Sequence, residues 1–386
     1  MTSAIPPAGS PEVAHPDPPP PRPRRRFWRR LALVAGSGLA LIVVLAGGLA
    51  VHVLHQTERP FRGFEGEEQF VEIARGSGVA AIARQLEEAG VVSDARWFRV
   101  AAWRRDAHTT LKAGEYRFTT ASSPLEVIDR LVRGDVYRRL VTFREGLSIR
   151  EKAAVFAAQG LGDAQAFLDA ATNRALVAEV DSAAPDLEGY LFPDTYALPR
   201  SVSADDVVRM MVERFLGVVD GAMRERAAAR GLTIRQLVTL ASLVEKETAV
   251  PDERPIVAGV FANRLRIGMG LQCDPTVIYA LQRAGLYRGN LTREHLRFDS
   301  PYNTYRYAGL PPGPIAAPGR ASIEAALDPA DVPYFYFVSR NDGSHVFATT
   351  LREHNENVRR WQVQYFREKR AREQEGPTDG GSRPES

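Results

Sequence analysis

From Leu31 to Val51 the chain carries no charged residue: LALVAGSGLALIVVLAGGLAV. At about 1.5 Å per helical residue, 21 residues reach across roughly the hydrocarbon core of a bilayer. The run is apolar on every face and sits behind a Pro/Arg-rich tail, which argues against a helix buried in a globular core. Arg22, Arg24, Arg25, Arg26, Arg29 and Arg30 precede it, and no arginine follows until Arg59. The positive-inside rule then places residues 1–30 in the cytoplasm and the chain beyond about residue 55 outside. The rival reading is a cleaved signal peptide, but the run is long for an h-region and AGGLAV has weak cleavage character. An uncleaved, single-pass anchor in the cytoplasmic membrane, over 31–54, is the expectation.

The formal charge of +3 is a local matter. Residues 1–30 hold six arginines against Glu12 and Asp17, a net of +4, so the rest of the chain sums to −1. That balance gives no reason to invoke nucleic acid. The single cysteine, Cys273, excludes an intramolecular disulfide and a cysteine-based zinc site. It does not exclude an extracytoplasmic fold, because a chain with 44% apolar residues can build a large core without staples.

The first 21 residues are dominated by Pro, Ala and Ser and read as disordered, as does the tail at 373–386. Residues 55–66 read as a polar linker. Between 67 and 175 a weak repeat appears at an offset of 70: Val71, Gly76, Ala83 and Gly90 match Val141, Gly146, Ala153 and Gly160. Each copy reads as strand, Gly turn, helix and Gly stop, and the second carries a capping box, Ser148 with Glu151. So few identities leave chance similarity open. The first copy, with helices at about 79–89 and 94–104, resembles a LysM module, a type that binds N-acetyl sugars of cell walls. Further on, one long helix is expected from Ser203 to about Arg230 and another from Thr233 to Thr248. The chain then turns loop-rich, with dense Gly, Pro, Asn and Tyr between 268 and 320. A hairpin over 334–350 turns at Asn341-Asp342-Gly343, and a charged helix spans about 351–372.

Two acids stand out. In LEGYLFPDTY, Glu188 heads an apolar, aromatic run, and such surroundings desolvate a carboxyl and raise its pKa, as a general acid near neutral pH requires. The plain alternative is a turn acid capping the next segment. In TIRQLVTLASLVEKET, Glu245 falls on the apolar face of its helix and Glu247 at its edge. A buried carboxylate must be paired, hydrogen-bonded or protonated, so Glu245 is either a structural acid bonded to amides or an arginine, or a wall of a cleft. Gln272 and Asp274 in LQCDPTVIYA, and Tyr302, Asn303 and Tyr305 in SPYNTYRYAGLPPGPIAAPG, are residue types that sugar-binding grooves use, though rigid surface loops use them too. His345 and His354 lack a third ligand at metal-binding spacing, so no metal is expected. Walker A, GxSxG and dinucleotide motifs are absent, and no cofactor is expected.

Five stretches in order, LEGYLFPDTY, ASLVEKET, LQCDPTVIYA, SPYNTYRYAGLPPGPIAAPG and DGSHVFATTLREHNENV, resemble the YceG-like family of endolytic murein transglycosylases over about residues 68–365. Cys273 and Ala317 depart from the Ser and Asn usual there. The resemblance implies an α+β chain: an N-terminal membrane helix, a LysM-like subdomain at 67–140 and an α+β catalytic domain at 141–370. It implies a lyase in which Glu188 is the catalytic acid, with Tyr190, Glu245, Gln272, Asp274, Tyr302, Asn303, Tyr305 and His345 contacting peptidoglycan glycan strands. The implied reaction cleaves the MurNAc–GlcNAc bond and closes a 1,6-anhydro ring, ending the elongation of nascent strands, with peptidoglycan synthases as partners. Two other readings stand beside it: a non-catalytic wall-binding scaffold of the synthesis machinery, and a hydrolase pairing Glu188 with Glu245 or Glu247.

Overall fold

The computed structural model describes residues 25–367 and 370. The segments expected to be disordered at 1–21 and 373–386 lie outside these residues. The structure is mixed α and β, and the chain divides into two compact units between Val136 and Tyr137.

The first unit begins with helix α1 (Arg25–Glu58), which is longer than expected at both ends. It starts inside the arginine cluster and runs through the first residues expected to be linker, because no proline interrupts it before Pro60. The stretch Leu31–Glu58 has a mean hydropathy of 2.3 in its most apolar window and is long and apolar enough to cross a membrane. Strand β1 (Gln69–Ile73), helices α2 (Val79–Glu88) and α3 (Ala95–Arg104), strand β2 (Gly114–Phe118) and helix α4 (Pro124–Arg133) follow. β1 and β2 pair antiparallel with Val71 opposite Tyr116. Val71, Ile73, Ile82, Leu86, Phe98, Phe118 and Ile128 close the core beneath them.

The second unit opens with the same frame. Strand β3 (Arg139–Phe143) and helix α5 (Ile149–Ala158) start and stop 70 residues after β1 and α2. Helix α6 (Ala164–Ala170) takes the place of α3, and strand β4 (Asp194–Leu198) pairs antiparallel with β3, setting Val141 opposite Tyr196. The correspondence reaches single hydrogen bonds. Tyr116 donates to the Lys112 carbonyl and Tyr196 to the Phe192 carbonyl, each at 2.7 Å and four residues back. Gly90 and Gly160, the stops read in the sequence, both sit at positive φ, +67° and +63°. The weak repeat is thus a repeated βααβ frame.

Helices α7 (Ala204–Val218), α8 (Gly221–Ala229), α9 (Ile234–Glu247), α10 (Arg254–Arg266), α11 (Asp274–Arg283) and α12 (Arg320–Leu327) come next. The single long helix expected from Ser203 to Arg230 is instead two. Asp220 interrupts it and caps α8 by accepting from the Met223 N–H, a local bond that competes with helix continuation. The stretch expected to be loop-rich contains α11, whose first turn carries Pro275 where a missing N–H costs nothing. α9 is the centre of this unit, with Leu237 through Val244 all buried. The expected hairpin forms as β5 (Tyr336–Ser339) and β6 (His345–Ala348), and helix α13 (Leu351–Val358) opens the charged C-terminal segment.

Candidate active site

Glu188 sits in the turn before β4. Leu187, Tyr190 and Leu191 are buried and pin that turn to the core. Gly189 takes φ +83° with Pro314 and Val238 against it; an added Cβ would meet Pro314 carbons at 2.5 Å, so only glycine fits. The Asp186 carboxylate accepts the Glu188 N–H at 3.0 Å and fixes the approach. The Glu188 side chain is thereby aimed at the first turn of α5. The Ile149 N–H donates to its Oε1 at 3.1 Å and Oε2 at 3.3 Å. From α11, the Tyr279 hydroxyl donates to Oε2 at 3.2 Å.

Ser148 and Glu151 form the capping box expected at this helix start, which holds the first turn that presents the Ile149 N–H. Lys152, one turn into α5, is 1% exposed and donates to the Leu191 carbonyl at 2.7 Å. Arg283 lies one turn beyond Tyr279 on α11, donates to its hydroxyl at 3.2 Å, and covers the rings of Tyr279 and Tyr302. Arg283 also faces Asp186 at 3.7 Å. These groups border a cavity of about 440 Å³ lined by Glu188, Tyr279, Arg283, Asp186, Ile149 and Tyr287 among others.

Burial holds the Glu188 carboxyl well above the ordinary carboxylate range, and the neighbouring Asp186 charge adds to this. The Lys152 ammonium, the Ile149 N–H and Tyr279 pull the other way. Burial in turn lowers Lys152, with Glu188 opposing. The result is a buried, protonatable carboxyl at a cavity wall, with a backbone donor at a helix N-terminus ready for its anion.

The other candidate residues divide into groups. Tyr302 packs on Tyr279 with ring centroids 5.1 Å apart, behind the ring whose hydroxyl reaches Glu188, and is not among the residues lining that cavity. Gln272, Asp274, Tyr305 and His345 line a second cavity of about 330 Å³ together with Glu247 and Arg264. In it the Tyr305 hydroxyl donates to Asp274 at 2.5 Å, and His345 is held by Glu253 at 2.7 Å. Burial raises Glu247 to about 7, against a hydrogen bond from Cys273.

Three residues are committed to holding the fold. Tyr190 donates to Asp181 at 2.5 Å and packs edge-on against Phe215 in the core. Asn303 is fully buried, donates to the Leu296 and Phe298 carbonyls and accepts from the Tyr305 N–H. Glu245 accepts from the Gly319 N–H at 3.0 Å and the Ser322 hydroxyl at 2.7 Å, with Arg254 at 3.8 Å. This is the structural alternative weighed for it, and it is not among the residues lining either cavity. Sequence reasoning passed over Tyr279, Arg283, Lys152 and the Ile149 amide. The signal for the first two was the helix start at Asp274-Pro275, after which Tyr279 and Arg283 fall four apart on one face.

A profile of the YceG-like family matches residues 71–360. An endolytic murein transglycosylase of Bacillus subtilis is 33% identical over 301 residues, covering 74% of this chain and 82% of the relative. One from Streptococcus pneumoniae is 29% identical over 321 residues, covering 75% of this chain and 57% of the relative. The crystal structure of a yceG-like protein from Listeria monocytogenes, 32% identical, superposes with a TM-score of 0.52 over 75% of this chain and 98% of that one. With a family match over most of its length and relatives of this closeness, the chain belongs to the YceG-like family.

Proposed function

We propose that the protein is an endolytic lytic transglycosylase of peptidoglycan that uses Glu188 as its one proton-transferring group. The observation that carries this reading is a buried carboxyl, whose burial raises its pKa, at the wall of a cavity beside Tyr279 and Arg283. Protonated Glu188 gives its proton to the glycosidic oxygen between MurNAc and GlcNAc, and the C1–O bond breaks with an oxocarbenium-like centre at C1. The Ile149 N–H and the Tyr279 hydroxyl hold the carboxylate that forms. The carboxylate then takes the proton of the same sugar's 6-hydroxyl as that oxygen bonds to C1, closing the 1,6-anhydro ring and restoring the acid.

A hydrolase needs a second free carboxylate for water or for the sugar. The other acids lining this cavity are engaged: Asp186 with the Glu188 N–H and Arg283, and Glu151 with its capping box. That favours the anhydro product over hydrolysis. The Gln272, Asp274, Tyr305 and His345 cavity serves as a more distant contact for the same glycan; α11 begins at one cavity and ends at the other.

The apolar helix acts as a membrane anchor with the folded units outside, where nascent strands are made and peptidoglycan synthases are the natural partners. The experiment is mass spectrometry of glycan products from the detergent-solubilised full chain beside Glu188→Gln. Anhydro-ended products that fall by about a thousandfold in the variant are expected. Reducing-end products from the wild type would sink the lyase reading, and retained activity in the variant would sink the role of Glu188.

A further inference from the structure

The last turns of α1 are fastened to the first unit. Thr57 is fully buried, and its hydroxyl accepts from Arg104 of α3, whose guanidinium also lies 3.4 Å from Glu58. Five residues earlier, the His52 ring meets Trp97 of α3 edge-on at 5.5 Å. α3 therefore lies along the end of α1, with its first turn near the level of His52 and its last residue level with Thr57 and Glu58.

That geometry fixes a depth. His52 is the first residue past the uncharged apolar run, at the edge of the hydrocarbon if the run spans it. Thr57 is about 7.5 Å further along the helix. The headgroup layer on one side of a bilayer is roughly 5–7 Å thick. So α3 occupies that layer from its inner edge to its outer one. Its sequence, ARWFRVAAWR, suits the place: three arginines, two tryptophans and no acid. Tryptophan and arginine are the side chains that settle where one end is apolar and the other wet or anionic.

On the face of α3 next to Trp97, Arg96, Arg99, Trp103 and His108 border a cavity of about 540 Å³ with Val100 and Ala80. Trp103 is 72% exposed there. Arg96 is engaged by Asp94; among the described residues Arg99 has no carboxylate partner.

We propose that this cavity seats the phosphate headgroups of anionic phospholipids, with α3 lying in the interface of the leaflet on the far side from the N-terminus. The proposal rests on the membrane reading of α1, and the test separates the two. The full chain, with Trp28, Trp103 and Trp361 replaced by Phe so that Trp97 alone reports, is reconstituted into vesicles of zwitterionic phospholipid doped with a brominated phospholipid, zwitterionic or anionic, that carries its bromines either near the top of the acyl chain or at its end. Flotation after an alkaline wash checks the anchor first, and a chain that fails to float overturns anchor and seat together. In chains that float, bromines near the top of the acyl chain should quench Trp97 several-fold more than bromines at the chain end. Anionic brominated lipid should compete for the site several-fold better than zwitterionic lipid. Arg99→Gln should reduce that preference by about fivefold, and Arg96→Gln, whose guanidinium Asp94 already engages, by less. A floating chain whose Trp97 is unquenched overturns the seat and leaves the anchor. Quenching without headgroup preference, unchanged in the arginine variants, overturns the phosphate site, and binding of soluble N-acetyl sugars by this cavity in place of lipid does the same.

Discussion

The two βααβ frames share strand register, the bounds of the first helix and the tyrosine on the returning strand, yet only one holds the candidate acid. The difference lies in one connection. Nine residues join α3 to β2, whereas 23 join α6 to β4, and the longer connection carries Asp181, Asp186 and Glu188. The same place in each frame, at the start of the first helix, opens on a cavity: Ile149 borders one and Val79 the other. In the second frame the space received a carboxyl; in the first it received arginines and a tryptophan. The chemistry is an addition to a repeated scaffold, and the scaffold's contribution is a helix N-terminus with a free backbone donor.

The largest effect should come where that addition locks onto the core. Gly189→Ala forces a Cβ into Pro314 at a positive φ and should cost about 2–4 kcal/mol, with loss of activity. Gly160→Ala, at a positive φ but with open space, should cost only about 1 kcal/mol. Thermal melts of the two variants compare them directly, and equal losses would contradict the account.

A second comparison exchanges one residue between the frames. The position of Lys152 in α5 is occupied by Ile82 in α2, also buried. Lys152→Ile removes the cation that favours ionised Glu188, so the carboxyl should keep its proton to higher pH. The alkaline limb of kcat/KM should move upward by on the order of one pH unit. A downward shift, or none, would show that Lys152 does not act on the acid. Asp186→Asn removes a charge that favours the protonated form, so the limb should move the opposite way.

Smaller effects test the sameness of the frames. Tyr116→Phe and Tyr196→Phe each remove one bond to a carbonyl four residues back, and each should lose about 1 kcal/mol in denaturant titrations. A loss confined to one would mean that the tyrosines are not equivalent. Smallest of all, Gly78→Ser with Ala81→Glu gives α2 the capping box that α5 already has and should add roughly 0.5–1 kcal/mol.

What could be read in advance followed from local patterns. The long apolar run, the capping box at Ser148 and Glu151, the offset-70 glycines and the Asn-Asp-Gly hairpin are signals spelled within a few residues. Glu188 was legible because an acid among aromatics is chemically odd wherever it lies. Its partners were not, since Ile149 and Tyr279 reach it across 39 and 91 residues. Periodicity put Glu245 on a buried face but could not say what it would meet there; Gly319 and Ser322 are over 70 residues away. The break at Asp220 was missed because an amphipathic pattern continues across it, while one side-chain bond stops the helix.

The junction at Thr57 turns α1 from a tether into a shaft. A helix that continues unbroken from the apolar run into a bolted joint hands its own rotation and height to whatever is bolted on. Adding one residue just ahead of His52 would turn the rest of the first unit by about 100° about the helix axis and advance it by about 1.5 Å along that axis. The azimuth at which this unit faces its surroundings is thus set by the residue count of a helix, as the pitch of a screw sets where its slot comes to rest.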